Sequence, residues 1–372
     1  MPLNEILTTP EAVGYDKAHL QHAEAILAQG VKNRIFPAAT YMVLRHGMLF
    51  AQTAFGTAQP DAKPPVPANL DTVFDLASIT KTFTATLLLQ SIEEGKILLT
   101  NELSDFIPEA ISTPLAPLTI KQLATHTSGL PPWKALYKRT KGSALEDILT
   151  TKLEKAPSTH YAYSDLGYIL LGEILTRLHS KPLDALVQER ICVPLGMKSS
   201  GYCPKAPLHS KIAATANCPM REGKTLLGEV HDANAHSMGG VAGHAGMFGS
   251  APDLARYAVS LCYPEVARHL SIPPLLGNLA RCLMQKSQIE PTIGGHSIGW
   301  FTPPNGYLPR GDLLSKATFG HTGFTGTLLM FDRKNDITII LLTNRVYMPG
   351  DGKESLRMRR LFANAVAGAL RH

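Results

Sequence analysis

Phe74-Asp75-Leu76-Ala77-Ser78-Ile79-Thr80-Lys81 decides how this chain is read. It opens a strongly apolar helical pattern that runs from Phe83 to Ile92. Residues three apart on a helix share one face, so the Lys81 amine can reach the Ser78 hydroxyl. A serine hydroxyl is a poor nucleophile until a base takes its proton. A lysine can be that base where its surroundings favour the free amine. A plainer role stays open at this point, with Ser78 as a helix cap and Lys81 as a solvated first-turn residue. Ser-x-x-Lys arises readily by chance, so the rest of the chain has to support it.

The chain has 372 residues, 44% hydrophobic and 18% charged, a globular balance with a sizeable core. Its net charge of +6 is dispersed, without the Lys/Arg runs that mark nucleic-acid or polybasic membrane contact. That excess favours an anionic substrate slightly. Five cysteines, none in a Cys-x-x-Cys pair, read as covered thiols of a reducing compartment. The start, Met1 to Ile6, has no basic region followed by an apolar core, and no later run reaches spanning length. A cytoplasmic location is therefore expected.

Working outward, residues 16–33 read as a helix, and Ala38–Arg45 with Met48–Phe55 as a hairpin turning at His46-Gly47. The middle of the chain is helical. Thr119 is a candidate cap, and Leu166–Leu178 is apolar on nearly every side. Residues 201–236 are loop-rich and placed to fold over a cleft. Gly239–Gly249 holds five glycines, where backbone turns tightly or approaches something closely. The period then changes. Ile298–Phe301, Thr327–Phe331 and Ile337–Thr343 read as strands, the last two joined by a turn at Arg333–Asp336, and Ser355–Leu370 closes as an amphipathic helix. Strands at both ends predict an α+β fold: an antiparallel sheet built from both chain ends, flanked by helices, with an inserted mostly helical domain. The expected division is 1–77 with 286–372 for the sheet domain and 78–285 for the helical one, with the active site at their interface.

Two more elements are placed to meet Ser78. Tyr163, in Tyr163-Ser164-Asp165, heads the apolar helix; beside a lysine ammonium its phenolate is favoured, and it can shuttle a proton. It is also open to being a core tyrosine bonded to backbone. Gly320-His321-Thr322-Gly323 enters a strand, and its glycines let a ligand lie against the backbone. His321 and Thr322 offer donors for a carboxylate or carbonyl.

Taken together, Ser78-Ile79-Thr80-Lys81, Tyr163-Ser164-Asp165 and His321-Thr322-Gly323 resemble the three motifs of the serine β-lactamase and penicillin-binding hydrolases, in the family's order. The likeness is greatest to the branch of class C β-lactamases, D-Ala-D-Ala carboxypeptidases and esterases. It extends from about Tyr41 to Arg345, with Leu118–Pro131 (including His126-Thr127-Ser128-Gly129-Leu130) among its landmarks. The resemblance implies a β-lactamase/transpeptidase-like fold and assigns roles. Ser78 is the acylated nucleophile, and Lys81 and Tyr163 share base and acid work. His321 stands where many members carry lysine and binds an anionic group or orients Tyr163. Thr322, Gly323 and Phe324 contribute to substrate binding, and the N–H groups of Ser78 and Phe324 form the oxyanion hole. Asp165 departs from the usual asparagine and, as a carboxylate, accepts from Lys81 but cannot donate to a substrate amide. Trp133 stands where class C enzymes usually carry glutamine.

Val230-His231-Asp232-Ala233-Asn234-Ala235 and the glycine-rich segment after it resemble a subgroup linked to peptidoglycan turnover, including cytoplasmic amidases. That makes His231, Asp232 and Asn234 candidates for the cleft wall. His231, Asp232, His236 and His244 are metal-ligand types, but their spacing matches no standard site. A helix cap in a loop serves as well for each singly. No cofactor or metal is called for. The expected activity is a serine hydrolase forming an acyl-enzyme on an amide or ester, with a cell-wall peptide or muropeptide as substrate. A promiscuous carboxylesterase, a weak class C-like β-lactamase and a non-catalytic penicillin-binding-like module are the alternatives. The expected partners are a small-molecule or peptide substrate, with no nucleic acid and no membrane span.

Overall fold

The structure, a computed structural model, describes residues 3–216, 218, 221 and 223–371. Nine strands are placed: β1 (Ala38–Arg45), β2 (Met48–Gln59), β3 (Val66–Pro67), β4 (Val73–Asp75), β5 (Gly201–Tyr202), β6 (Met247–Ser250), β7 (Thr318–Thr322), β8 (Leu328–Asp332) and β9 (Ile337–Thr343). They form a six-stranded sheet in the order β3-β2-β1-β9-β8-β7 and a three-stranded sheet in the order β4-β6-β5. The two chain ends meet where β1 pairs antiparallel with β9, Met42 opposite Ile340. The α+β architecture expected from the sequence is the one observed.

Alternation along the central strands sorts their side chains into two cores. Tyr41, Val43, Ile339 and Leu341 face one side, where they pack on Leu20 and Leu27 of α1 (Lys17–Lys32) and on Phe362 and Val366 of the C-terminal helix. Met42, Leu44, Ile340 and Leu342 face the other and join the larger core, built around α2 (Thr80–Glu93). Both faces of the sheet are therefore dry, which explains the near-continuous apolar run of β9.

Helix α2 is buried from Thr80 to Leu89 despite four threonines. Its hydroxyls are spoken for: Thr82 donates to the Ile79 carbonyl and Thr84 to the Gly243 carbonyl, both at 2.8 Å, and Thr86 bonds the Tyr257 hydroxyl. Capping side chains start other helices. Asp16 accepts from the His19 N–H, and Thr119, the candidate cap, forms a reciprocal box with Gln122. α3 (Asp165–His179) packs against α2, and α4 (Lys353–Gly368) closes the chain.

One predicted strand does not form. Ile298–Phe301 makes only isolated bridges, Phe301 with His296 and with Gly320. Gly299 has φ +91°, outside the extended region, and lies so close to α2 that a β-carbon there would fall 2.3 Å from Ala85 Cβ. The segment is apolar because it is buried, not because it pairs. Among the cysteines, Cys203 and Cys282 are exposed rather than covered. No helix among the described residues is long and apolar enough to cross a membrane.

Candidate active site

Ser78 lies in a 3-10 turn (Ala77–Ile79) that leads directly into α2. Four hydrogen bonds set the turn and its surroundings. The Asp75 carboxylate accepts the Ala77 N–H at 2.8 Å, and its other oxygen accepts the His231 N–H at 2.7 Å. Ala77 is held at φ +47°, a left-handed conformation that a residue with a side chain adopts at a cost. The neighbouring loop is fastened to the same backbone: Thr325 donates to the Asp75 carbonyl and Thr327 to the Leu76 carbonyl. Burial pushes the Asp75 carboxyl up to about 6 even though two backbone N–H groups oppose the shift.

The fully buried Lys81 ammonium reaches three acceptors. Nζ is 3.0 Å from Ser78 Oγ, 3.0 Å from the His244 carbonyl and 2.8 Å from Asp165 Oδ1. It also sits 4.9 Å from the centre of the Tyr163 ring. Spacing on one helix face, read from the sequence, has become direct contact.

Tyr163 and Asp165 arrive on a segment clamped by residues 126–132. His126 accepts the Ala162 N–H on its carbonyl and the Ser164 N–H on Nδ1. Ser164 Oγ donates to the Pro131 carbonyl, and the Asp165 N–H donates to that of Pro132. Tyr163 lines the same pocket as Ser78, and the nearby Ser78 hydroxyl only partly opposes the rise of its pKa. The expectation of a favoured phenolate is overturned: enclosure of the hydroxyl, reinforced by the Asp165 charge, holds it well above the usual phenol range. Tyr163 is a neutral proton donor here.

A pocket of about 590 Å³ opens onto Ser78. Of the residues singled out from the sequence, Ser78, Tyr163, Asp165, Trp133, His231, Thr322, Gly323 and Phe324 line it. Lys81 touches Ser78 from beneath. His321 and Asn234 do not line it. His321 is fully buried, its Nδ1–H donating to the Thr322 carbonyl at 2.9 Å, with its ring 4.6 Å from that of Phe301 and 6.0 Å from that of Tyr163. It backs Tyr163, as the second of its two expected roles requires, and does not line the pocket, because successive residues of β7 face opposite sides and Thr322 takes the pocket side. Burial, then the Lys81 charge, pushes its pKa well below the usual imidazole value, so the ring is neutral. Asn234 is a buried clamp that donates to the Lys134 carbonyl and accepts the Tyr137 N–H.

Around Tyr163 the packing reveals a group not foreseen as a unit. His126 and His296 are also fully covered, 4.7 Å apart, and kept neutral chiefly by burial. The pocket wall further includes Tyr137, Asp232, His244, Phe301, Tyr307, Arg345 and Arg359. His244 Nε2 pairs with Asp232 Oδ1 at 3.0 Å. Burial acts to raise the Asp232 carboxyl, but the His244 ring, the Ala235 N–H and Lys81 together hold it well below the usual carboxylate range. Among the described residues, Asp165, Asp232 and His244 are the set whose ligand atoms converge as a metal would need. Lys81 already places positive charge against that set, so a cation would have to displace the ammonium. His231 and His236, also considered as ligands, are not part of it.

The loop Gly323–Thr327 supplies the remaining polar feature. The Gly323 N–H closes the loop on the Thr327 carbonyl, and the Phe324 N–H donates to no acceptor among the described residues. Gly323 lies so close to Leu76 that a β-carbon would fall 2.5 Å from the Leu76 carbonyl oxygen. The Ser78 N–H, second in its 3-10 turn, likewise lies where a helix start leaves donors free. The site thus offers a hydroxyl, an amine, a phenol and two backbone donors at one pocket. A larger hollow of about 940 Å³ lies elsewhere, beside Asp184, Lys198 and Cys203. We place the chemistry in the smaller one because Ser78 and its amine meet there.

Comparison with known proteins agrees with this arrangement. The β-lactamase family model matches residues 23–364. A protein of Escherichia coli K12 named "Putative D-alanyl-D-alanine carboxypeptidase" is 31% identical over 378 positions, covering 92% of this chain and 86% of its own. A like-named Salmonella typhi protein is 31% identical over 385 positions, covering 92% and 87%. Among solved structures, EstCE1, described as a hydrolase with promiscuous acyltransferase activity, superposes with a TM-score of 0.77 at 19% identity, covering 94% and 99% of the two chains. A β-lactamase/D-alanine carboxypeptidase of Pseudomonas syringae gives 0.73 at 20%, covering 94% and 99%. At those identities the structures speak for the fold alone, whereas the family match spans nearly the whole sequence. The chain belongs to the β-lactamase family of hydrolases.

Proposed function

We propose that this protein is a serine hydrolase that works through an acyl-enzyme on Ser78, with a peptidoglycan-derived peptide or muropeptide as its substrate. The observation that carries the proposal is the contact of Ser78 Oγ with the Lys81 amine, at 3.0 Å, at the pocket that Tyr163 also lines. Lys81, in its amine form, takes the Ser78 proton as Oγ bonds to the substrate carbonyl carbon. The oxygen that becomes negative lies against the N–H groups of Ser78 and Phe324. As the carbon–nitrogen or carbon–oxygen bond breaks, the Tyr163 hydroxyl gives a proton to the leaving group and regains one from Lys81. Water then repeats the sequence in reverse and frees Ser78. Asp165 keeps Lys81 aimed at Ser78 throughout.

The carboxypeptidase names of the relatives support a D-alanyl peptide. An ester is the second reading, and Asp165 favours it: a carboxylate has no N–H for a substrate amide. Rapid mixing with a p-nitrophenyl ester tests the acyl-enzyme. It should show a burst of one nitrophenol per Ser78 followed by slower turnover, and release of D-alanine from a muropeptide should follow the same pH profile. Ester turnover that persists in Ser78→Ala would end the proposal.

A further inference from the structure

His244 is tied to Lys81 in two ways. Its carbonyl accepts from Lys81 Nζ at 3.0 Å, and its ring bonds Asp232, Nε2 to Oδ1, at 3.0 Å. A carboxylate has no proton to give, so Nε2 is the donor. The ring bond matters because carboxylates crowd the base. Asp165 Oδ1 is 2.8 Å from Nζ, and one ligand atom each of Asp165, Asp232 and His244 lie within 4.8 Å of one another. The Asp232 side chain is 26% exposed at the pocket, which leaves it room to turn. Its Oδ1 is directed by the His244 ring and by the Ala235 N–H at 2.7 Å.

The ring is not what fixes the backbone of His244. A β-carbon on Gly243 would fall 2.1 Å from the Tyr168 carbonyl, so this loop lies directly on α3. Thr84 donates to the Gly243 carbonyl and the Met247 N–H donates to Thr80 Oγ1, which pins the loop to α2 on both sides of His244. Packing therefore places the carbonyl that receives Lys81, and the polar contact of the ring is with Asp232. The Ser78 step needs Lys81 without its extra proton, and each carboxylate brought near an amine favours the ammonium. Lys81 is faced by Asp165 and by the neutral groups of Tyr163, His126, His296 and His321. Asp232 is faced by Lys81, His244, His231 and Asp75.

We propose that His244 is a positioning residue for the Ser78 step: its ring holds Asp232 away from Lys81, so that Asp165 is the one carboxylate answering the base. The role rests on the acyl-enzyme reading above. Fluorophosphonate labelling of Ser78, followed as intact mass across pH, reads the acid limb on which the base loses its proton. His244→Phe keeps a ring in place and removes the donor. Its acid limb should move up by about one pH unit, roughly tenfold slower labelling at a fixed pH on the limb. His244→Gln restores an amide donor and should bring the limb back toward its native place. Adding Asp232→Asn to His244→Phe should do the same, because asparagine still caps the helix after it but carries no charge toward Lys81. A merely structural role would slow labelling at every pH and would not be relieved by Asp232→Asn. Asp75, raised to about 6 and also faced by Asp232, ties the backbone of the turn, so its titration is read from melting temperatures over the same pH range. A limb shift matched by an equal shift in that melting profile would assign the effect to Asp75 and overturn the proposal. If His244→Phe does not fold, Asp232→Asn alone decides: its limb should lie at or below the native one, and a raised limb would contradict the role. A native protein that takes no label at any pH removes the acyl-enzyme reading and this proposal with it. A native protein that labels, with a limb that His244→Phe leaves in place, overturns the proposal alone.

Discussion

Replacing Lys81 by methionine separates the chemistry from the fold. Methionine has nearly the same length and keeps the space filled, so the helix around it, buried from Thr80 to Leu89, need not collapse. What disappears is an amine 3.0 Å from Ser78 Oγ and its contacts with the His244 carbonyl and Asp165. The cost to stability is small for identifiable reasons. One buried carbonyl loses a donor, about 1–3 kcal/mol. Asp165 loses its partner, but its side chain is 19% exposed and can be hydrated from the pocket. Against both stands relief from burying an ammonium. The melting temperature should therefore move by only a few degrees. The chemistry has no such compensation. Losing a positioned base costs roughly 10²–10⁴ in rate, about 3–5 kcal/mol of barrier. Labelling by a fluorophosphonate, followed as intact mass against time, measures that step alone. A Lys81→Met protein that melts like the native one yet labels at nearly the native rate would refute Lys81 as the base.

Gly323→Ala should be more disruptive than its size suggests. The new β-carbon would meet Thr327 Oγ1 at 2.1 Å and the Leu76 carbonyl at 2.5 Å, displacing the loop that presents the Phe324 N–H. We expect a loss of about 10²–10³ in kcat with a smaller change in KM, and steady-state kinetics with an ester will show it. Acid should destabilise the fold early. His126, His296 and His321 are held neutral by burial, with His296 lowered to about 3, whereas each takes up a proton near 6.5 once unfolded. Stability is complete above that value and falls as pH drops below it, by up to ~1.4 kcal/mol per pH unit for each histidine. Asp75, raised to about 6, works in the opposite sense between its unfolded value near 3.8 and 6 and offsets one of the three. Urea unfolding midpoints between pH 7 and 5 test the sum, and a flat profile would contradict it.

Much of this was legible before any coordinates, and the parts that were not share a physical cause. Ser78 and Lys81 were readable because helical spacing is a local rule. The sheet was readable from its ends because β-branched runs at both termini have to be buried together. Ile298–Phe301 misled because burial and pairing leave the same apolar trace, and only the packing of Gly299 on Ala85 tells them apart. For His321 the sequence leaves two roles open, binding an anionic group or orienting Tyr163, because composition names a donor but not the face of the strand it occupies. The phenolate expected at Tyr163 took account of Lys81 but not of enclosure, which dominates. The histidines behind Tyr163 come from separate elements. No sequence period joins such residues, and they meet only when helices and strands pack.

The central claim is that Ser78 carries the acyl group. Acid quenching during turnover of a p-nitrophenyl ester, followed by proteolysis and peptide mass spectrometry, tests it directly. The account predicts the mass of the acyl group on the peptide that contains Ser78, absent after Ser78→Ala. An acyl group found on any other residue, or hydrolysis with no adduct on Ser78 at any quench time, would contradict it.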